Sequence, residues 1–270
     1  MGIIGWPVSH SLSPAVHNAA FAAMGLEWVY VPLPVEPAAL AEALAGLAAL
    51  GFAGANVTMP HKTKTAERMD ILSEDAQRLH AVNTIVIQGG ELHGHNTDGQ
   101  GFDRFLREDA GFDPGGRSAL IYGSGGAARA AALALARAGL ASLSVAVRDP
   151  VRTAGLVAAL EGLETEVRPI TFEASPAERP DLVINATPLG ASGESLPLPP
   201  LGPGQLVVDL MYHPSVTPMQ VQAREAGAAA FGGLGMLLHQ AALSFELWTG
   251  SPAPLDVMSA AALAELAERA

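Results

Sequence analysis

Cysteine is absent from the 270 residues, which excludes disulfides and thiolate chemistry at a metal or redox centre. Lysine is nearly absent. Only Lys62 and Lys64 occur among the 15 basic residues, two positions apart, and every other cation is an arginine. Positive charge as a whole is scarce, with 15 Lys and Arg against 27 Asp and Glu and a formal net charge of −12. Such a chain has no excess of cations to displace the counterions of nucleic acid or to hold an anionic membrane. A small anionic substrate remains admissible, because it needs only a local site. Long apolar runs are missing too: Gly and Pro break them well short of the ~20 residues of a membrane span. The first run, GIIGW from residue 2, has no basic segment before it and does not read as a signal peptide. No repeat of roughly 20–50 residues is visible. These absences imply a cytoplasmic protein that acts on small molecules, with neither nucleic acid nor membrane as partner and no metal site.

What the chain does have is alternation. Apolar strand-like runs (GIIGW, WVYVPL, FAGANVT) are separated by helical patterns such as SPAVHNAAFAAMG and PAALAEALAGLAALG. Ser13 can cap the first helix, Pro14 suits its first turn and Gly25 suits its end. AVNTIVI and ELHGHN, joined by QGGE, predict a hairpin. A second series begins at SALIYG: SALIY, a helix over 126–138, LSVAV, a helix over 151–161, TEVRPI, DLVIN, LVVDL, a helix over 216–226 and AAAF. Two helices, over 234–249 and 257–269, close the chain. Alternation of this kind predicts an α/β protein with mainly parallel sheets covered by helices on both faces. The helix GFDRFLREDAG marks a boundary near residue 99. At 49% hydrophobic residues there is material for two cores.

SALIY runs directly into GSGGAARAAALALARAG, which gives Gly123-x-Gly125-x-x-Ala128 between a strand and a helix. In that context the glycines allow a tight turn and close approach of a pyrophosphate, and the free N–H groups of the helix face the anion. The next strand ends in VRDPVR, with Arg148 and Arg152 flanking Asp149. Arginines here favour a 2′-phosphate, and so NADP; an acid favours the free ribose hydroxyls of NAD. Two cations oppose one anion.

The first half carries polar residues just after apolar strands: Ser11 and Ser13 in SHSLSP, Thr58 and Lys62 in NVTMPHK, Asn83 in AVNT, Asn96 and Asp98 in HNTDG. Ligands of open α/β sheets bind at such strand ends, so these loops could meet in one crevice. Taken singly, Ser13 is an N-cap candidate, Asp98 a turn or cap residue and Asn83 a strand-end residue. Lys62 resists so plain a reading in a chain that uses arginine elsewhere. An ammonium can give up its proton when its pKa is lowered, and a guanidinium effectively cannot.

Taken together, GWPVSHSLSP, GANVTMPHK, AVNT, HNTDG, GSGGAAR, NATPLG, DLMY and GLGMLLHQAALSF resemble the shikimate dehydrogenase family, shikimate/quinate dehydrogenases included, in order and over nearly the whole chain. The resemblance implies an N-terminal α/β substrate domain (1–99), a Rossmann-type dinucleotide-binding domain (100–232) and C-terminal helices (233–270) packing back on the first domain. It implies NADP-dependent reversible reduction of 3-dehydroshikimate to shikimate, in the route to aromatic amino acids. By the same resemblance Lys62 is the catalytic lysine and Asp98 its partner, and Ser11 and Ser13 hold the substrate carboxylate. Thr58, Asn83, Tyr212 and Gln240 complete the substrate set. Gly123, Ser124, Gly125, Gly126 and Ala127 form the cofactor loop, with Arg148 and Arg152 at the 2′-phosphate and Leu210 and Gly233 toward the nicotinamide. Where relatives carry Asn-Arg-Thr-x-x-Arg, this chain has VRDPVR, and Val147 and Asp149 remove two polar contacts. NAD is therefore the alternative cofactor. The rival readings are an NAD-preferring quinate/shikimate dehydrogenase and a non-catalytic, ligand-sensing relative, and the chain is expected to be a monomer or homodimer.

Overall fold

The run GIIG offers no polar side chain to a solvated face, and it forms β1 (Gly2–Gly5), buried along its length. α1 (Ser13–Ala23) follows, with Pro14 in its first turn and Gly25, at φ +66°, just beyond its end. The N-cap is Leu12, and no side chain caps this helix. The expectation that Ser13 caps is therefore corrected: Ser13 lies inside the first turn, buried. Next come β2 (Val31–Pro34), α2 (Leu40–Ala49), β3 (Gly54–Val57) and α3 (Lys62–Ala66). α3 is only five residues long. It gives way to β4 (Ile71–Leu72) and α4 (Glu74–Leu79), both too short to leave a periodic pattern in the sequence. α4 has a start signal nonetheless: the Ser73 hydroxyl accepts from the Ala76 N–H at 3.3 Å, and Glu74 and Asp75 occupy the first turn. β5 (Thr84–Gln88) and β6 (Glu91–His95) form the hairpin, turning through Gly89 and Gly90 at φ +61° and +91°.

The second series opens with α5 (Asp98–Glu108) and continues through β7 (Ser118–Tyr122), α6 (Gly126–Arg137), β8 (Ser142–Val147), α7 (Ala154–Ala159) and β9 (Glu166–Thr171). β10 (Leu182–Asn185), β11 (Leu206–Asp209), α8 (Pro218–Glu225) and β12 (Ala229–Phe231) follow, then α9 (Leu234–Thr249) and α10 (Leu255–Arg269). This computed structural model describes all residues except 173, 175–178 and 270. Among the described residues no helix is long and apolar enough to cross a membrane.

The chain divides into two compact units, Met1–Thr97 with Leu238–Ala270, and Asp98–Leu237. The sheet of the first runs β2-β1-β3-β5-β6-β4. It is mixed: three of its five pairings are parallel, as expected, and the hairpin sets β5 antiparallel to both β3 and β6. The returning helices belong to this unit: α10 packs on α1, and Phe245 of α9 stacks on Phe21 at 5.7 Å between centroids. Each such fully buried aromatic contributes about 2–3 kcal/mol by leaving water.

The sheet of the second unit is parallel throughout, in the order β12-β11-β10-β7-β8-β9. Its first strand, β7, therefore stands between β8 and β10, where consecutive connections depart in opposite directions. The crevice beyond the carboxyl ends of β7 and β10 is where such a sheet leaves room for a ligand.

Candidate active site

In the first unit the strand directions bring the polar loops to one edge. β1 and β3 are parallel, and β5 begins where β3 ends, with Asn56 paired to Thr84. β6 ends at that same edge, with His95 opposite Thr84. The loops bearing Ser11 and Ser13, Thr58 and Lys62, Asn83 and Thr97 all leave from there. Main-chain bonds fix them to one another: Trp6 N–H to Met59 O at 3.1 Å, Val57 N–H to Asn83 O at 2.8 Å, and Val82 N–H to Lys62 O at 2.9 Å. Gly5 has a steric reason, since a Cβ there would come within 2.5 Å of the Thr58 methyl.

The Ser11 hydroxyl accepts from the Ser13 N–H at 3.2 Å, so the two serines form one turn. Arg269 near the end of α10 donates to the carbonyls of His10 and Ser11 at 2.6 and 3.3 Å and holds that turn from outside. Asn83, buried, donates to Thr97 Oγ1 at 2.9 Å and to Gln240 Oε1 at 3.2 Å, and accepts from the Thr97 N–H at 2.8 Å. Lys62 is half-buried at the start of α3. Lys64 is exposed and paired with Glu67 at 3.0 Å. The two lysines of the chain thus have different surroundings, one at the polar edge and one in solvent.

In the second unit, Gly123, Ser124 and Gly125 after β7, Val147 at the end of β8 with Arg148 and Arg152 beyond it, and Ala186, Thr187 and Pro188 after β10 line a cavity of about 300 Å³. Gly123 has φ +102°, and a Cβ there would crowd Ala186 O and the Thr187 methyl at 3.1 Å. A Cβ on Gly125 or Gly126 would meet nothing within 4 Å. The turn therefore leaves open space in front of the N-terminus of the twelve-residue α6, where a pyrophosphate approaches the free N–H groups. Ala128 is fully buried, so the helix packs close on its sheet. These features fit a dinucleotide. Arg148 and Arg152 line the cavity and Asp149 does not.

Behind this cavity, buried Asp209 accepts from Asn185 Nδ2 at 3.1 Å, from the Met211 N–H at 3.2 Å and from Thr217 Oγ1 at 2.7 Å. Burial pushes its carboxyl pKa up, and these three donors oppose the rise. Leu210 N–H bonds Asn185 O at 2.9 Å, and Gly233 N–H bonds Met211 O at 2.8 Å. The backbones of Leu210 and Gly233 come so close that any Cβ on Gly233 would overlap Leu210 O.

With this geometry established, comparison with known proteins gives the family. A shikimate dehydrogenase of Moorella thermoacetica, named for NADP(+), is 50% identical over 96% of this chain and 90% of the relative. The chain belongs to the shikimate dehydrogenase family. The model of the family's substrate-binding domain matches residues 3–85, and that of its C-terminal domain matches residues 233–263. A shikimate 5-dehydrogenase of Thermus thermophilus, solved in complex with NADP(H) and shikimate, superposes with TM-score 0.88 at 36% identity, covering 98% of each chain. A quinate dehydrogenase of Corynebacterium glutamicum in complex with NAD reaches TM-score 0.88 at 32% identity, over 97% of this chain and 98% of that one.

Of the family positions carried onto this sequence, Ser11, Ser13, Thr58, Lys62, Asn83 and Gln240 belong to the first unit, and Asn83 with Gln240 is a direct contact. Asp98, Tyr212, Leu210, Gly233, the Gly123–Ala127 turn and both arginines belong to the second. Asp98 is buried and opens α5. The polar residues that the sequence reading passed over are Tyr30, Asn56, Thr84, Thr97 and Ser244. Asn56 carried a signal, as a polar side chain inside a buried strand, and Ser244 lies one helical turn beyond Gln240.

Proposed function

We propose that this chain catalyses the NADP-dependent interconversion of 3-dehydroshikimate and shikimate in aromatic amino-acid biosynthesis. The observation that carries this reading is the Asn83–Gln240 contact on the sheet edge from which Lys62 and the Ser11–Ser13 turn also leave. The edge offers donors for a carboxylate, amide groups for ring hydroxyls and one ammonium for the reacting oxygen. NADPH, when bound along the Gly123–Ala127 turn, supplies the hydride. The negative charge that then grows on the former ketone oxygen is stabilised by the Lys62 ammonium, which donates its proton to that oxygen. In the oxidation direction the neutral lysine accepts the proton. For Asp98 and Tyr212 the reading takes over the roles that the family resemblance assigns, a partner of the catalytic lysine and a substrate-binding residue. The reading takes the protein as cytoplasmic, and as a monomer or homodimer.

The NAD-linked quinate alternative is favoured by one feature, the acid in VRDPVR, together with the likeness to the Corynebacterium protein. A steady-state matrix of shikimate and quinate against NADP and NAD tests both. Shikimate with NADP is expected to have the highest kcat/KM. A higher value for quinate with NAD would replace this reading with the alternative.

A further inference from the structure

Beneath the polar edge of the first unit lies a buried chain of hydrogen bonds, and its direction is set by its donors. The Tyr30 hydroxyl donates to Asn56 Oδ1 at 2.7 Å. Asn56 Nδ2 faces Asn83 O at 3.0 Å, Thr84 Oγ1 at 3.1 Å and Ser244 Oγ at 3.0 Å. Asn83 O only accepts, so the amide is held with its nitrogen on this side and its oxygen toward Tyr30. Thr84 Oγ1 passes its proton to Asn83 Oδ1 at 2.9 Å, and Asn83 in turn donates to Gln240. At the other end, Tyr30 is tied to α1, the helix that Ser13 opens: Asn18 Nδ2 donates to Tyr30 O at 2.9 Å, and the Tyr30 N–H donates to Asn18 Oδ1 at 2.8 Å.

The tyrosine ring has little freedom. His17, one turn after Ser13 on α1, stacks on its face at 4.5 Å and 17°, and Trp248 lies at 6.1 Å on a tilt. Trp248 is itself fixed by its Nε1–H bond to Ile85 O at 2.9 Å. Tyr30 is 1% exposed and Asn56 5%, so bulk water does not reach this chain to substitute for a missing member.

We propose that Tyr30 and Asn56 are positioning residues for the substrate, holding the carboxylate-binding Ser13 in fixed register with the hydroxyl-binding Asn83–Gln240 pair. This rests on the functional reading above, in which those three residues touch the substrate. The substrate is a small, stiff ring, so the spacing between its carboxylate and hydroxyl contacts must be set to a fraction of an ångström. A loop such as Ser9–Ser13 does not set that spacing alone. The Asn18–Tyr30–Asn56 linkage, which ties α1 to β3, β5 and α9, does.

The test is steady-state kinetics with shikimate and NADP on Tyr30→Phe, Ser13→Ala and the double variant, with melting temperatures measured alongside. Tyr30→Phe should raise KM for shikimate about tenfold, lower kcat far less and leave KM for NADP unchanged. Because Tyr30 acts through Ser13, the double variant should be little worse than Ser13→Ala alone. A purely structural tyrosine would lower the melting temperature, leave KM for shikimate at the wild-type value, or add its effect in full to that of Ser13→Ala. Any of these KM results overturns the proposal. Should Tyr30→Phe fail to fold, Ser244→Ala perturbs the same amide from the far side, and it too should raise KM for shikimate with KM for NADP unchanged; an unchanged KM for shikimate overturns the proposal again. Turnover of shikimate by the unmodified protein separates the two levels. Its absence would remove the functional reading and this inference together, whereas its presence with an unaltered Tyr30→Phe removes the inference alone.

Discussion

The Asp149 carboxylate accepts a hydrogen bond from the Val151 N–H at 3.1 Å. The acid that sets this chain apart from relatives with a Thr at that position is thus occupied as the cap of the short 3-10 turn Pro150–Thr153. Arg148 and Arg152 are left lining the cavity beyond β7 and β10 without it.

Arg148→Ala should therefore cut kcat/KM for NADP by ~10–100-fold while NAD is nearly unaffected, since a charge-assisted bond to the 2′-phosphate is worth roughly 1.5–3 kcal/mol. Initial-rate measurements with both cofactors check this. Equal losses for the two would place Arg148 at a part of the dinucleotide they share.

Two substitutions separate cap from ligand at Asp149. Asp149→Asn keeps a capping oxygen and should move the NADP/NAD ratio by no more than about fivefold, because the charge is exposed and screened. Asp149→Ala should cost about 1 kcal/mol of stability by removing the cap, again with a small change in the ratio. A large swing toward NADP in either variant would restore Asp149 as a ribose ligand.

Lys62→Ala should lower kcat by ~10²–10⁴-fold, the range for loss of a general acid/base. Lys64→Ala is the internal control. It breaks an exposed pair with Glu67, worth ~0–1 kcal/mol, and should leave kcat close to wild type. Similar effects of the two on kcat would sink the assignment.

Ser13→Ala should raise KM for shikimate more than it lowers kcat, because a carboxylate contact remote from the reacting carbon holds ground and transition states alike. Its melting temperature should change little, since Ser13 does not cap α1. A stability loss with wild-type KM would reverse this.

His17 predicts a pH dependence of stability. Both ring nitrogens are buried without a partner among the described residues, and burial pushes the pKa from 6.5 to about 3. Nearby Asn56 opposes the shift without reversing it. The unfolded chain therefore binds a proton that the folded protein refuses. Stability is full above the unfolded pKa and falls as pH drops from about 6.5 toward 3, with ~2 kcal/mol lost by pH 5. Urea unfolding from pH 7.5 to 5 should be steeper in pH for the wild type than for His17→Phe. Parallel curves would mean that His17 is not the group responsible.

Much of this protein was legible in its residues. The Gly123–Ala128 turn could be read because a strand, a phosphate turn and a helix are contiguous, and each needs only local chemistry. Lys62 stood out because arginine fills nearly every other cationic position. The strand ends carrying Ser11 and Thr58 followed from apolar runs giving way to polar ones, whereas Asn83 lies just before β5 rather than after a strand. The short β4 and α4 were missed, because two and six residues are too few for a period to show. Other features were decided only by the fold. Asn83 meets Gln240 across 157 residues and Tyr30 meets Asn56 across 26, pairings that depend on strand order and on the return of α9. Whether Ser13 caps a helix or lies buried in its first turn, and whether Asp149 meets a ribose or its own backbone, depends on tertiary placement and side-chain direction. Residue type limits what a group can bond to, but packing against distant segments decides which of those partners it reaches.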